Sequence, residues 1–253
     1  MDKSFVSIVI PAYNCAEYIS QAIDSALSQD VEKEIIVIDD CSSDSTSEII
    51  QRYCGRDGFV FFKNETNLGA AETRNKAVKL AKGEYIAFLD GDDFWVEDKL
   101  KLQLEAIKKS GCFLCCTARE LVSQKGESLN HFIPVKECIT YKELLKHNQI
   151  SCSSVLIKRE VALEFPMHHE DSHEDYIMWL EVLQKYKNAC GINLPLLKYR
   201  VSNTGKSGGK LKSAAMTFKV YRYMGFGTVK SLLCFVSYAL NGVKKYLFKG
   251  RQK

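Results

Sequence analysis

Three features place this chain among α/β proteins, with a mostly parallel sheet flanked by helices and a helical extension at the C-terminal end. Short apolar runs alternate with amphipathic helical stretches through the first half, the pattern of strands joined by helical crossovers. Two of those runs, Val37-Ile38-Asp39-Asp40 and Phe88-Leu89-Asp90-Gly91-Asp92-Asp93, end in clustered carboxylates. Acidic residues stop at Glu181, whereas fifteen lysines and arginines follow from Lys185 to Lys253.

Taken in order, residues 6–10 form a first strand that Pro11 ends. Asn14 is placed to cap the next helix, with Glu17 three residues on. That helix carries Ile19, Ala22, Ile23, Ala26 and Leu27 on one face. Residues 34–40 are a second strand, and Ser45 with Glu48 forms a second capping box before Ile49 and Ile50. Residues 59–62 give a third strand, and 70–82 a helix stopped by Gly83. A fourth strand spans 85–90, a helix 96–109 and a further strand 113–118. From Glu120 the pattern loosens: a strand is expected at 153–157, a helix at 174–186 and an extended piece at 196–199. After a Gly-rich loop at 205–209, helices are expected at 211–224 and 228–248.

The 253 residues suit one α/β domain with an appendage, or two small domains. We divide them into one α/β domain, 1–205, with halves 1–118 and 119–205, and a basic amphipathic helical tail, 206–253. At 46% hydrophobic and 26% charged, the composition is that of an ordinary globular protein. The net charge of +4 conceals 20 basic against 31 acidic residues up to position 181, a net of −11. The cationic C-terminal third points to an anionic partner surface. The chain opens Met1-Asp2-Lys3 and enters a strand at once, without a signal peptide. Its ten cysteines are therefore expected as reduced thiols, Cys112 and Cys115 included. No run of about 18 apolar residues spans a membrane.

A buried strand that delivers three carboxylates around Gly91 needs positive charge to hold them. A divalent cation on hard oxygen ligands supplies it, and such ions bridge carboxylates to phosphates. The competing reading is an acidic strand-to-helix turn in which Asp93 or a neighbour caps the following helix. Pro11-Ala12-Tyr13-Asn14, Asp39-Asp40 and Asp90-Gly91-Asp92 all lie at the carboxyl ends of strands, where such sheets bind ligands. The dinucleotide turn GxGxxG and the phosphate loop GxxxxGK[ST] are both absent. Tyr13 instead offers an aromatic platform, and Asp40 an acceptor for the imide N–H of uracil. Gly69 opens a helix start that favours anions, and Arg74 one turn in is placed for a ribose, a base edge or a phosphate. Together these describe a nucleoside diphosphate held with a divalent cation.

Four ordered segments, Val6-Ser7-Ile8-Val9-Ile10-Pro11-Ala12-Tyr13-Asn14, Val37-Ile38-Asp39-Asp40-Cys41-Ser42-Ser43-Asp44, Asn67-Leu68-Gly69 and Phe88-Leu89-Asp90-Gly91-Asp92-Asp93, resemble the family 2 glycosyltransferases of the Rossmann-like GT-A fold. The resemblance is close over residues 4–110 and looser to about 205. It implies a UDP-sugar donor, Mn2+ or Mg2+, and inversion at the anomeric carbon. It further implies Asp40 facing uracil, Asp90 near the ribose and Asp92 on the metal. The family's carboxylate base matches His173-Glu174-Asp175-Tyr176-Ile177-Met178-Trp179: Asp175 is the expected base, with Glu174, His173 and Trp179 on the acceptor. Asp175 in a first helical turn also meets the positive end of the dipole, which favours its ionised form.

The family's Tyr-Arg-x-His is here Lys198-Tyr199-Arg200-Val201-Ser202, without the histidine. His168 and His169, like His173, are read as acceptor-loop residues rather than metal ligands. The Gln-x-x-Arg-Trp signature of processive synthases is absent, so a single addition is expected. In the tail, Val229, Leu232, Leu233, Val236, Leu240, Val243 and Leu247 mark one apolar stripe beside Lys230, Lys244, Lys245, Lys249, Arg251 and Lys253. Such a helix suits an anionic bilayer, at about 1 kcal/mol per surface-near cation. Its other uses are packing on the catalytic domain or a homodimer contact. The tail's makeup also resembles bacterial enzymes of O-antigen, capsule or teichuronic-acid assembly, implying a polyprenyl-diphosphate-linked saccharide acceptor on the inner face of the membrane. No nucleic-acid partner is expected. A sugar-nucleotide nucleotidyltransferase would need a Gly-rich basic loop where Pro11-Ala12-Tyr13-Asn14 stands. A non-catalytic nucleotide-binding module would not need Asp90, Asp92 and Asp175 together.

Overall fold

The computed structural model describes residues 4–201 and 209–247, with side chains at all of these except 210 and 242–247. Its first half contains parallel strands β1 (Val6–Ala12), β2 (Lys33–Asp39), β3 (Phe59–Lys63) and β4 (Tyr85–Phe88), connected through α1 (Ile19–Leu27), α2 (Thr46–Gln51) and α3 (Ala70–Leu80). Then follow β5 (Phe94–Trp95), α4 (Lys99–Ser110), β6 (Leu114–Val122), β7 (Ser128–Ile133), β8 (Cys138–Thr140) and α5 (Tyr141–Lys146). A 3-10 turn (Cys152–Ser154) leads to β9 (Leu156–Lys158), α6 (Arg159–Glu164), α7 (Glu174–Tyr186), β10 (Asn188–Arg200), α8 (Lys210–Tyr223) and α9 (Thr228–Leu247).

One sheet runs β3-β2-β1-β4-β9-β6-β10-β5, with β7 beside β6 and β8 beside β10. Strand side chains alternate between two cores, as the period of two requires. Val6, Ile8, Ile10, Ile35, Val37, Tyr85 and Ala87 meet the buried faces of α1 and α4. Val9, Ile36, Ile38, Ile86 and Phe88 point the other way, toward α3, α6 and α7. Gly83 leads into β4 because nothing larger fits: a Cβ there would stand 2.5 Å from the Ser7 amide nitrogen.

The parallel pairs β1–β2, β1–β4, β2–β3 and β6–β10 carry most of the sheet's paired residues, with antiparallel strands set among them. β9 enters between β4 and β6 antiparallel to both, and β5, β7 and β8 also pair antiparallel. β6 runs continuously across position 118, where we had divided the domain. β5, β7, β8 and α5 had no counterpart in the periodicity, and β10 is far longer than the expected 196–199.

The two predicted capping boxes do not form. Neither α1 nor α2 has a side-chain cap from its N-cap residue. Asp44 serves both instead, accepting the Ala16 N–H at 3.1 Å and the Thr46 N–H at 3.0 Å. Asp93 does not cap the following helix either, which begins after Asp98.

Among the described residues no helix is long and apolar enough to cross a membrane. α9 packs on the body through Phe235 against Phe218 and Tyr238 against Tyr176. The opposite stripe is open, with Val229 75%, Leu232 54%, Leu233 66%, Val236 47% and Leu240 61% exposed. Met1, Asp2 and Lys3, most of the Gly-rich loop at 205–209, and Lys249, Arg251 and Lys253 lie outside the described residues, as do the side chains of Val243, Lys244, Lys245 and Leu247.

Candidate active site

The carboxyl ends of β1, β2 and β4 bring three loops together, and backbone groups lock the first two. Asp40 N–H donates to Ala12 O at 2.8 Å. Asn14, at φ +46°, donates its N–H to Ser42 Oγ and accepts the Ser43 N–H on Oδ1, each at 2.9 Å. Ala12 is buried, Pro11 half-buried, and Tyr13 stands 53% exposed above this wall. Gly91 packs beneath it, where a Cβ would come 2.9 Å from Cys15 Sγ and 3.3 Å from Pro11 O. That closeness excludes a side chain at Gly91 and ties the acidic turn to the β1 loop.

Asp40 is only 3% exposed, and its oxygens turn toward α3. They accept the Leu68 and Gly69 N–H groups and Asn64 Nδ2, all at 2.8 Å. A carboxylate offers about four lone-pair sites, so three are occupied within the chain. Gly69 adopts φ +85°, a conformation glycine reaches without strain. The next α3 amides are also occupied: Glu170 accepts the Ala70 N–H at 3.3 Å and the Ala71 N–H at 2.9 Å. The chain thus supplies its own anion to the helix start expected to meet a ligand.

Arg74 departs from expectation. It is buried, with one guanidinium nitrogen 2.5 Å from Asp90 Oδ1 and the other 2.9 Å from Glu174 Oε1. Burial works against its charge, but Asp90, Cys152 and Glu174 more than offset that and hold it protonated. In this structure it joins two carboxylates instead of facing a ribose, base or phosphate.

The acidic turn has three distinct carboxylates. Asp90 donates its N–H to Ser153 Oγ and keeps part of its side chain open. Asp92 is half-buried, and burial, then the Asp90 charge, push its carboxyl up to about 6 against the pull of Arg200 and Arg74. Asp93 is buried and accepts the Arg200 N–H at 2.9 Å, while its other oxygen has no partner. Burial, then Asp92 and Asp90, raise it well above the carboxylate range.

Among the described residues no group of three or more His, Cys, Asp or Glu could hold a metal by itself. Asp92 nevertheless fits a divalent cation completed by phosphate oxygens, because its desolvated carboxyl beside Asp90 gains from added positive charge.

α7 begins where the sequence placed it. Asp175 is half-buried and accepts its neighbour's Tyr176 N–H at 2.7 Å. Its carboxyl is pushed up to about 6 by burial and then by Glu174, with His173 and Arg74 acting in the opposite sense. The helix dipole therefore does not dominate: desolvation beside a second carboxylate wins. His173 meets α8, its Nε2 3.3 Å from Ser213 O. Trp179 is a correction, since it is fully buried against Phe88 and belongs to the core, away from any acceptor. His169 stacks on Tyr223 with ring centroids 3.7 Å apart and has His168 beside it at 6.4 Å, whereas His173 meets Ser213 O.

Sequence reasoning missed several residues that build the site. Arg200 donates through Nε to Asp92 O at 2.7 Å and through a terminal nitrogen to Gln21 Oε1 at 2.6 Å, and also donates to Gln124 O. Asn75 makes a two-way pair with the Met167 backbone, at 2.8 and 2.9 Å. Ser153 orients Asp90. Their partners lie 63 to 179 positions away, beyond any local signal. Arg200 lies in the Lys198-Tyr199-Arg200 segment already matched to the family's Tyr-Arg-x-His, but its contacts could not be read there.

A parallel β3-β2-β1-β4 half ending in clustered acids, joined to a carboxylate-bearing helix start, has the architecture of a GT-A glycosyltransferase. The family model "Glycosyl transferase family 2" matches residues 7–161, and the chain belongs to that family. It is 40% identical to the putative teichuronic acid biosynthesis glycosyltransferase TuaG of Bacillus subtilis, over 97% of this chain and 98% of that one. It is 35% identical to the Escherichia coli UDP-Glc:alpha-D-GlcNAc-diphosphoundecaprenol beta-1,3-glucosyltransferase WfaP, over 98% of each chain. Among solved structures, Staphylococcus aureus TarS 1–349 in complex with UDP-GlcNAc superposes with a TM-score of 0.73 at 18% identity, covering 92% of this chain and 71% of that one.

Proposed function

We propose that this glycosyltransferase transfers a single sugar, with inversion, from a UDP-sugar to a polyprenyl-diphosphate-linked saccharide during bacterial surface polysaccharide assembly. The observation that carries the reading is the Asp90–Arg74–Glu174 bridge, which brings the acidic turn against the helix start bearing Asp175. The names of the two curated relatives support the pathway class and, in one, the lipid-diphosphate acceptor.

In this mechanism Tyr13, Pro11, Ala12, Asn14 and Gly69 border the nucleotide, Asp40 receives the uracil imide and Asp90 the ribose. Asp92 and Gly91 lie at the diphosphate, where a bound Mn2+ or Mg2+ supplies charge stabilisation for the departing UDP. Asp175 accepts the proton of the acceptor hydroxyl as that oxygen forms its bond to the anomeric carbon and the bond to UDP breaks. A base whose carboxyl titrates at about 6 is ionised at neutral pH yet basic enough to share that proton. Glu174 and His173 border the acceptor. The open stripe of α9 and the cationic tail dock on an anionic bilayer, which keeps the protein on the inner face of the cell membrane. The stripe's alternative occupant is a second copy of this chain.

The test is UDP release from a panel of UDP-sugars, with a polyprenyl-diphosphate N-acetylglucosamine mimic and Mn2+. At least one donor should give metal-dependent release and a product of inverted anomeric configuration. Release from none of them would sink the reading, and a retained configuration would remove the single-displacement step.

A further inference from the structure

We propose that Arg74 is a positioning residue for transfer: it holds the donor-side Asp90 and the acceptor-side Glu174 in one fixed arrangement, and so sets where Asp175 stands. This rests on the functional reading above.

The two carboxylates lie in different parts of the fold, 16 and 100 residues after their shared partner along the chain. Only a planar guanidinium can reach both at once, since its forked N–H groups diverge from one rigid centre. A lysine ammonium is a point charge and satisfies one partner at a time. The Glu174 arm of the bridge is shielded from water, with the Arg74 and Glu174 side chains each 7% exposed, so screening is weak there. The Asp90 side chain stays 29% exposed toward the donor side.

The neighbouring residue supports the same assignment independently. Asn75 clamps the Met167 backbone from both sides, fastening the segment that leads into α7 onto α3. Adjacent side chains of α3 thus grip the acceptor side at two points seven residues apart, Met167 and Glu174. Glu174 directly precedes Asp175, so displacing it turns the first residues of α7. The groups around Asp175 are Glu174 and His173 at the helix start, Arg74 from α3 and Cys152 from the 3-10 turn. Of these, Arg74 is the permanently charged cation.

The experiment compares wild type with Arg74→Lys and Arg74→Met, in full-length protein. Steady-state UDP release gives kcat and the donor KM, and 13C-carboxyl NMR follows the titration of Asp175. Arg74→Lys should lose at least tenfold in kcat, with donor KM changed less than threefold. Arg74→Met, lacking the charge, should move the Asp175 titration upward by at least half a pH unit. Turnover of Arg74→Lys within twofold of wild type would overturn the proposal. So would a raised donor KM at unchanged kcat, which would make Arg74 a donor contact. Should Arg74→Met not fold, Arg74→Lys alone decides. Should wild type release no UDP from any donor, the functional reading fails, while the NMR titration still tests the bridge.

Discussion

Replacing Asp175 by Asn should make the protein more stable while abolishing transfer. The carboxyl titrates at about 6 in the folded chain, against an ordinary 3.8, because burial and then Glu174 oppose its charge. The folded state therefore holds the proton more tightly than the unfolded state, and stability falls as pH rises from about 4 through about 6. Each pH unit of separation corresponds to 1.36 kcal/mol, so ionised Asp175 destabilises the neutral-pH fold by about 1–3 kcal/mol. Asparagine is nearly isosteric, still accepts the Tyr176 N–H and carries no charge to desolvate. For a chain of this size the gain amounts to about 2–10 °C in Tm. Urea or thermal unfolding of both proteins between pH 4 and 8 measures it. The difference should be near zero at pH 4, grow to about pH 6 and stay level above. Turnover should drop about 10²–10⁴-fold, the contribution of a positioned base. Equal stability at pH 7, or a gap that does not vary with pH, would refute the assignment of Asp175 as a desolvated carboxylate held ready to ionise.

Three further outcomes are expected. Asp92→Ala should abolish turnover and Mn2+-dependent UDP binding by calorimetry, whereas Asp175→Asn should keep that binding; equal binding by Asp92→Ala and wild type would take Asp92 off the metal. Because the Asp92 carboxyl titrates at about 6, metal-dependent UDP binding should weaken as pH falls below that value. On α9, Leu232→Glu with Val236→Glu should release the protein from anionic vesicles in a flotation assay at unchanged Tm, since both side chains point away from the body. Retention on vesicles would discount the bilayer, and a dimer broken by the same substitutions would identify a second copy as the partner.

The parts of this molecule that were legible in the sequence are those governed by local pattern. α7 starts at Glu174 and ends at Tyr186, as its periodicity and first-turn acids indicated. The strands that deliver Asp39-Asp40 and Asp90 could be read because continuous apolar runs have few other homes. What escaped was set by distant partners. Asn14 and Ser45 look like helix caps, but Asp44 reaches both helix starts first. Arg74 looked like a ligand for a nucleotide because its two carboxylates come from elsewhere in the fold. β7 exposes its first three residues and β8 is only three residues long, so neither carries a run of alternation long enough to mark a half-buried strand. Trp179 shares a helix face with Asp175 one turn earlier, but by that turn the face has run down into the core against Phe88.

Arg200 has a consequence for how the enzyme is made. Asp93 waits 107 residues for the backbone N–H that meets its carboxylate, and Asp92 O waits 108 for the guanidinium of the same residue. During synthesis Asp90 can meet Arg74 early, but the Arg200 contacts to Asp92 O and to the Asp93 carboxylate form only once β10 has left the ribosome. A nascent chain interrupted before that strand would carry every residue of the acidic turn and still be unable to arrange them.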